Sequence, residues 1–373
     1  MSLLPNAEQL MLRDAAQSFL AERSPVALQR QLRDTGQPQR FDSALWQQVA
    51  ELGWPAAPWP AEVGGLAAGW KALAGVFEAC GRHLAATPLL SSAVLCATLL
   101  VEVGSDTVRD TWLPSLLDGS KRLALALDEQ ARHAPQRIQT IAQNHEGGWR
   151  LQGHKADVMD GVGADAYIVV ARAEGKPALF LLPADTPGLT VQPLNRIDSR
   201  NAARLHFSGV LLPQGARLGA ADTAAPALEL ALDRARLCLA AETLGLSRAV
   251  LAMTLDYLKQ RVQFDVPIGS FQALQHRAAR LFVALELLDS SVAAGFEALD
   301  NDAAKVPALA SLAKARAADV GELLLNEALQ LHGGIGVTDE FDLGLFFKRA
   351  RVLGQSLGDA LFHRDRYARL HGF

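Results

Sequence analysis

Several things are scarce in this sequence, and each scarcity excludes something. Half of the residues are hydrophobic, yet no uninterrupted apolar run reaches the roughly 18 residues that a bilayer-spanning helix needs. That content is left for internal cores, and no membrane partner is expected. Cysteine is nearly absent. Cys80, Cys96 and Cys238 lie far apart, and an odd number without CxxC spacing suits buried, reduced thiols better than disulfides or a metal knot, so no metal site is expected. Long Lys/Arg runs are missing too, and the formal net charge is −4. The electrostatic footprint of a nucleic-acid binder is therefore lacking. The opening MSLLPNAEQLMLRD has no charged start, long apolar stretch or small-residue cleavage site. A cytoplasmic location is the expectation.

The chain has 373 residues, too many for one ordinary core, so two or three domains are expected. From Asn6 to about Gly119 apolar residues recur every three to four positions, as in AEQLMLRDAAQSFLAER and SALWQQVAELGW, with Asp42-Ser43 as a cap. Between Lys121 and Leu218 the period shortens to strand-like runs such as RLALALD, AYIVVAR and ALFLLPA, separated by turn signals such as Glu146-Gly147-Gly148. No long helix fits between those strands, which predicts a small antiparallel β-domain. Helical patterning then returns over Ala225 to Gln260, Ser270 to Leu299 and Val306 to His332, as in a four-helix-like bundle. The fold class is mainly α with a central β-domain, divided as residues 1–120, 121–220 and 221–373.

Two segments carry chemistry. In RVQFDVPIGSFQ, the Arg261 guanidinium can hold a pyrophosphate bidentately, Phe264 offers an aromatic face and Gln272 adds an amide. In QLHGGIG, Gln330 ends a helix while Gly333 and Gly334 let a phosphate or ribose approach bare backbone. An isolated HGG reads equally as a helix stop. His332 beside it reads as a helix-end residue.

These segments resemble the two FAD-holding stretches of the acyl-CoA dehydrogenases. Other stretches extend the resemblance over essentially the whole chain: ELGWPAAPWPAEVGG is similar to "ELG…PEEYGG", WLPSLLDGS to "WLP.L..G" and WRLQGHKADVMDG to "Y.LNG.K.WI.NG". The resemblance implies the acyl-CoA dehydrogenase fold, FAD as cofactor, an acyl-CoA substrate and electron-transfer flavoprotein as acceptor. A carboxylate base removes the α-proton and the β-hydrogen leaves as hydride to flavin N5. It also implies that Arg261, Phe264, Gln272, Gln330, Gly333 and Gly334 reach the ADP half of a FAD held by a neighbouring subunit. Asp265 stands where the family usually has Gly. Asp233 and Arg236 resemble a "D..R" pair near the thioester pocket; a surface i,i+3 ion pair is the alternative.

The other half of the family's site is missing. FKRARVLGQSLGDALFHR places Leu357 at the usual catalytic Glu, with Asp359 replacing a flavin-contacting Thr and His363-Arg364 matching a later Gln-Arg. The minority position for the base is Ala235. Glu242, seven residues further along that helix, shares its face at a distance of roughly 10 Å. In the β-domain, LDEQARHAPQ replaces "TEP..GSD", putting Asp128 and Gln130 for Thr and Pro. Lys155 is followed by Asp157, Val158 and Met159, without the ring-packing aromatic or the hydroxyl donor. A carboxylate at Asp157 would repel an anionic reduced flavin.

Losses on the ring side beside a retained ADP side resemble the degenerate sister subunit of heteromeric acyl-CoA dehydrogenases of bacterial steroid side-chain degradation. That implies a two-plus-two assembly with a paralogous subunit. Two alternatives stand beside it: a self-sufficient homo-oligomer using Glu242 or Asp359 as base, and a flavin-free acyl-CoA-binding scaffold.

Overall fold

The computed structural model describes residues 5–373; residues 1–4, on which part of the expectation about targeting rests, lie outside the described residues. Helices run to Leu117, strands from Leu123 to Leu218, and helices again from Ala224. The starts of the early helices follow from local chemistry. Asn6 and Gln9 form a reciprocal capping box on α1 (Ala7–Arg23), and Asp42 accepts from the Leu45 amide at the start of α3 (Ser43–Glu51), after α2 (Val26–Thr35). Each satisfies amides that the first helical turn leaves unpaired.

The residues gather into two compact units. One comprises Leu32–Gly69 and Ala86–Ala235, and holds α3, α5 (Ala97–Val103) and α6 (Asp106–Leu117). Its sheet contains β1 (Leu123–Ala126), β2 (Ile141–His145), β3 (Gly148–Met159), β4 (Ala166–Ala173), β5 (Lys176–Pro183), β6 (Leu189–Pro193), β7 (Ala202–Pro213) and β8 (Arg217–Leu218). The order is β6-β7-β3-β2-β4-β5-β8, with β1 also on β4. The sheet is mixed, which corrects the antiparallel expectation: β1 runs parallel to β4 from Leu123↔Ala166 to Ala126↔Val169, and β2 meets β4 in parallel at Ile141↔Arg172. The LALA run of β1 is buried at every position, as suits a parallel strand covered on both faces. Trp149, Tyr167, Phe180 and Phe207 fill the core of this unit, with Trp149 and Phe180 edge to face at 5.3 Å. A π-helical stretch, Leu89–Cys96, is tied to β1 by Ser92, whose hydroxyl donates to Leu123 O and accepts from Leu123 N. The three cysteines are buried and unbridged.

The other unit comprises the chain up to Gln31, Trp70–Ala85 and Arg236–Phe373. It contains α1, α4 (Trp70–Arg82), the larger part of α7 (Ala224–Gln260), α8 (Gln272–Asn301), α9 (Val306–His332), α10 (Leu343–Gln355) and α11 (Ala360–Leu370). Helices α4 and α7 approach backbone to backbone. A Cβ at Gly81 would fall 1.8 Å from Glu242 O, and one at Gly245 would fall 1.8 Å from Glu78 O. An 18-residue window of α7 is apolar enough for a bilayer by composition, but 78% of it is buried inside the protein, so its apolarity serves the core.

Candidate functional site

The helical unit brings the two glycine- and arginine-bearing segments together. Tyr257, near the end of α7, lies 4.6 Å ring to ring from His332, the last residue of α9. The chain then leaves α7 through Arg261 into a hairpin of β9 (Val262–Gln263) and β10 (Val266–Pro267), closed by Ile268 N donating to Arg261 O at 2.8 Å. The two turn residues are Phe264 at φ 54° and Asp265 at φ 64°. Consecutive left-handed residues make a tight hairpin turn. Asp tolerates that region, so the missing glycine does not prevent the turn from forming. A phenylalanine there is another matter. Left-handed backbone costs an L-residue roughly 1–2 kcal/mol, yet Phe264 is 87% exposed, with only an edge contact to Phe271 at 6.2 Å. A strained, solvent-facing aromatic is what a ligand or partner would cover.

Gly333 stops α9 at φ 61°, ψ −141°, its amide donating to Gln330 O. That conformation requires glycine. Gly334 has no positive φ, and no atom of the chain lies within 4 Å of where its Cβ would sit. Nothing within the protein therefore demands glycine at 334, and the bare backbone faces open space. Arg261, Gln272, Gln330, Gly333 and Gly334 are all exposed. Arg261 has no ion-pair partner among the described residues. These features suit the ADP half of FAD: a free guanidinium for pyrophosphate, an aromatic face and a backbone without Cβ atoms.

Ser356–Asp359, between α10 and α11, is the corner where the family's usual base would stand. Leu357 has φ 55° and Gly358 φ 112°. Buried donors hold this corner by its carbonyls. Arg236 Nε and His363 Nε2 donate to Leu357 O at 3.3 and 3.1 Å, and Lys314 Nζ donates to Gly358 O at 3.0 Å. All three side chains are essentially inaccessible. Desolvation, with nearby Arg236, pushes Lys314 down to about 7. Desolvation and the same surrounding cations push His363 down to about 2, so it is neutral. Asp359 caps α11 by accepting from Phe362 N at 2.8 Å. Leucine offers no proton acceptor here.

Two expectations about α7 are corrected. Asp233 and Arg236 are buried, 2% and 0% exposed, so they are no surface ion pair, and Arg236 supports the corner through Leu357 O. Glu242 is engaged by both oxygens with Arg349, at 2.8 and 3.0 Å, and is 4% exposed. A carboxylate locked bidentately by a guanidinium is a poor base. Ala235, at the minority position, is fully buried and carries no ionisable group.

In the sheet unit, the segment replacing the family's thioester-side loop closes on itself. Lys155 Nζ, fully buried, donates to Leu127 O at 3.0 Å and Glu129 Oε1 at 2.7 Å. Burial pushes this lysine down to about 8, opposed by Glu129. Glu129 also accepts from the Gln139 and Thr140 amides, while Asp128 accepts from Ala134 N and meets His133 Nδ1 at 2.8 Å. Gln130 is exposed. Asp157 is half exposed and loosely paired with Arg196 at 3.6 Å. Asp128, Glu129 and Lys155 are thus committed within the segment, and Asp157, Val158 and Met159 offer neither an aromatic face nor a hydroxyl. The Lys155–Glu129 pair and the Lys314–His363 supports escaped the sequence reading, because an ionisable side chain reads as solvent-facing until its partner is known.

Comparison with known proteins shows the family. The family models for the acyl-CoA dehydrogenase N-terminal and C-terminal domains match residues 6–120 and 226–370. Acyl-CoA dehydrogenase FadE27 of Mycobacterium tuberculosis is 31% identical over 89% of this chain and 88% of its own, and IpdE2 of the same organism is 32% identical over 95% and 94%. Among solved structures, a variant of the Tcur3481-Tcur3483 steroid ACAD is 32% identical with a TM-score of 0.88, covering 98% of this chain and 97% of its own. The ChsE4-ChsE5 complex from M. tuberculosis is 28% identical with a TM-score of 0.91 over 100% of both chains. The segments that hold the chain's bare glycines and its strained Phe264 thus lie in a sequence that belongs, along nearly its whole length, to the FAD-binding acyl-CoA dehydrogenase family.

Proposed function

We propose that this chain is the base-lacking subunit of a heteromeric acyl-CoA dehydrogenase. It completes the ADP side of a FAD whose reacting ring belongs to a paralogous partner. The observation that carries this reading is the contrast within the chain. The hairpin and the Gly333-Gly334 stop stay exposed and bare, while Leu357, Glu242 and Asp359 leave no carboxylate free to act as base. FAD supplies the hydride acceptor when bound. Arg261, Phe264, Gln272, Gln330, Gly333 and Gly334 bind and orient its ADP half, and Arg236, Lys314 and His363 keep the empty base corner rigid. That two similar structures are a steroid ACAD and a two-subunit complex supports a two-plus-two assembly and a steroid-derived acyl-CoA as the first substrate to test. Electron-transfer flavoprotein is the proposed acceptor and the cytoplasm the proposed location.

The test is purification alone and after co-expression with a paralogous acyl-CoA dehydrogenase subunit from the same genome. FAD-loaded, acyl-CoA-dependent dye reduction is expected only from the pair. A yellow, active preparation of the single chain would overturn the reading in favour of the self-sufficient homo-oligomer.

A further inference from the structure

Away from the flavin segments, α1, α4, α7 and α8 line a half-open cavity of about 400 Å³ within the helical unit. That size lies in the usual range of small-molecule sites, roughly 300–1,000 Å³. Leu244, Val292 and Phe296 give it an apolar wall, and Ala74, Ala241 and Ala293 keep it from being filled by larger side chains. The charged lining is three cations, Arg13, Lys71 and Arg248, against two carboxylates, Glu78 and Asp289. Both carboxylates are already taken by Arg248, at 2.5 and 2.8 Å, and Lys71 is paired with Glu297 at 2.5 Å.

Arg13 differs from the other two cations. Its Nε and Nη2 both donate to one oxygen of Asp14, an exposed neighbour outside the lining, which leaves the Nη1 edge uncommitted among the described residues. Its position is built into the fold, because a Cβ at Gly75 would lie 2.7 Å from Arg13 Cβ, so α4 keeps glycine where the arginine stem crosses it. An arginine with an uncommitted guanidinium edge, lining a cavity with an apolar wall and neutralised carboxylates, selects an anionic head with an apolar tail.

We propose that this cavity binds a linear fatty carboxylate, its head on Arg13 and its tail against Leu244, Val292 and Phe296. The site lies apart from the flavin-holding segments and does not depend on the division of labour proposed above. A coenzyme A thioester has no free carboxylate and is not its ligand.

The test uses the purified protein, with its paralogue where the two co-purify, titrated calorimetrically with decanoate below its micellar concentration. One saturable site per chain is expected, with decanol binding at least tenfold more weakly and decanoyl-CoA failing to displace decanoate. Arg13→Gln should weaken decanoate at least tenfold, and Ala293→Phe should abolish binding with the melting temperature retained. The smaller Ala293→Leu serves if phenylalanine perturbs folding. Absence of saturable binding, equal affinity for decanol, displacement by decanoyl-CoA, or binding that survives both substitutions would overturn the proposal. None of these outcomes alters the FAD readout, so the two ideas fail separately.

Discussion

Phe264→Gly separates what the hairpin does for the chain from what it does for a ligand. Within the chain, glycine relieves roughly 1–2 kcal/mol of left-handed strain. It forfeits an edge-to-face contact worth about 0.5–1.5 kcal/mol and adds about 0.4–1 kcal/mol of unfolded-state entropy. With Phe264 87% exposed, little burial is lost besides. The terms nearly cancel, so stability should change by less than about 1 kcal/mol, a shift of a few degrees at most in melting temperature. A buried phenylalanine removed from a core would instead cost about 3–5 kcal/mol. For the flavin the expectation is asymmetric. Stacking of an aromatic side chain on a base is worth about 1–3 kcal/mol, so FAD affinity of the assembled enzyme should fall roughly 5- to 150-fold. Thermal unfolding of the isolated chain and fluorescence titration of apo-complex with FAD measure the two halves. Unchanged FAD affinity, or a loss of more than about 2 kcal/mol in the isolated chain, would refute the assignment of Phe264 to the ADP site.

Three further outcomes are expected. Glu242→Gln leaves Arg349 without its bidentate partner and should cost about 3 kcal/mol by urea unfolding, while the pH profile of dye reduction by the assembled enzyme stays put; a shifted profile would reinstate Glu242 as a base. Lys314, held at about 7 in the fold against 10.5 as its ordinary value, is disfavoured in its charged form. The unfolded chain therefore binds more protons between those values, the penalty is complete below about 7, and stability rises with pH from there towards 10.5; Lys314→Met should remove that component of the slope in urea unfolding at stepped pH, and an unchanged slope would contradict it. Leu357→Glu should give the single chain no acyl-CoA-dependent dye reduction, since on the proposed division of labour the ring is seated by the partner; activity in that variant would count against that division.

Most of the architecture was legible because period and punctuation carry it. The change from a helical to a two-residue period near Lys121, and back after Ala220, brackets the strands and helices as they occur. The flavin segments were read from the likeness of RVQFDVPIGSFQ and QLHGGIG to the family's, whereas the left-handed backbone of Phe264 and the open space at Gly334 are visible only in the fold. Pairing direction was not legible. The four-residue β1 gives no sign of which neighbour it will choose, and only the fold puts it parallel to β4. The buried polar contacts were hidden for a related reason. Lys155 finds Glu129 across 26 residues and Arg349 finds Glu242 across 107. A charge reads as solvent-facing until its distant partner is known. The partner of Glu242 was hidden on those grounds, since helical periodicity fixes the face a residue takes but not what meets it there.

The reciprocal meeting of Gly81 with Glu242 O and of Gly245 with Glu78 O bears on how the helical unit keeps its shape. The contact is an interlock with no slack, in which any side chain on either glycine collides with the other helix's main chain. Saturation mutagenesis read out by protein abundance should show positions 81 and 245 as intolerant columns. The same survey should leave positions 264, 334 and 357 permissive for abundance, so that residues the fold requires and residues it does not stand in different columns.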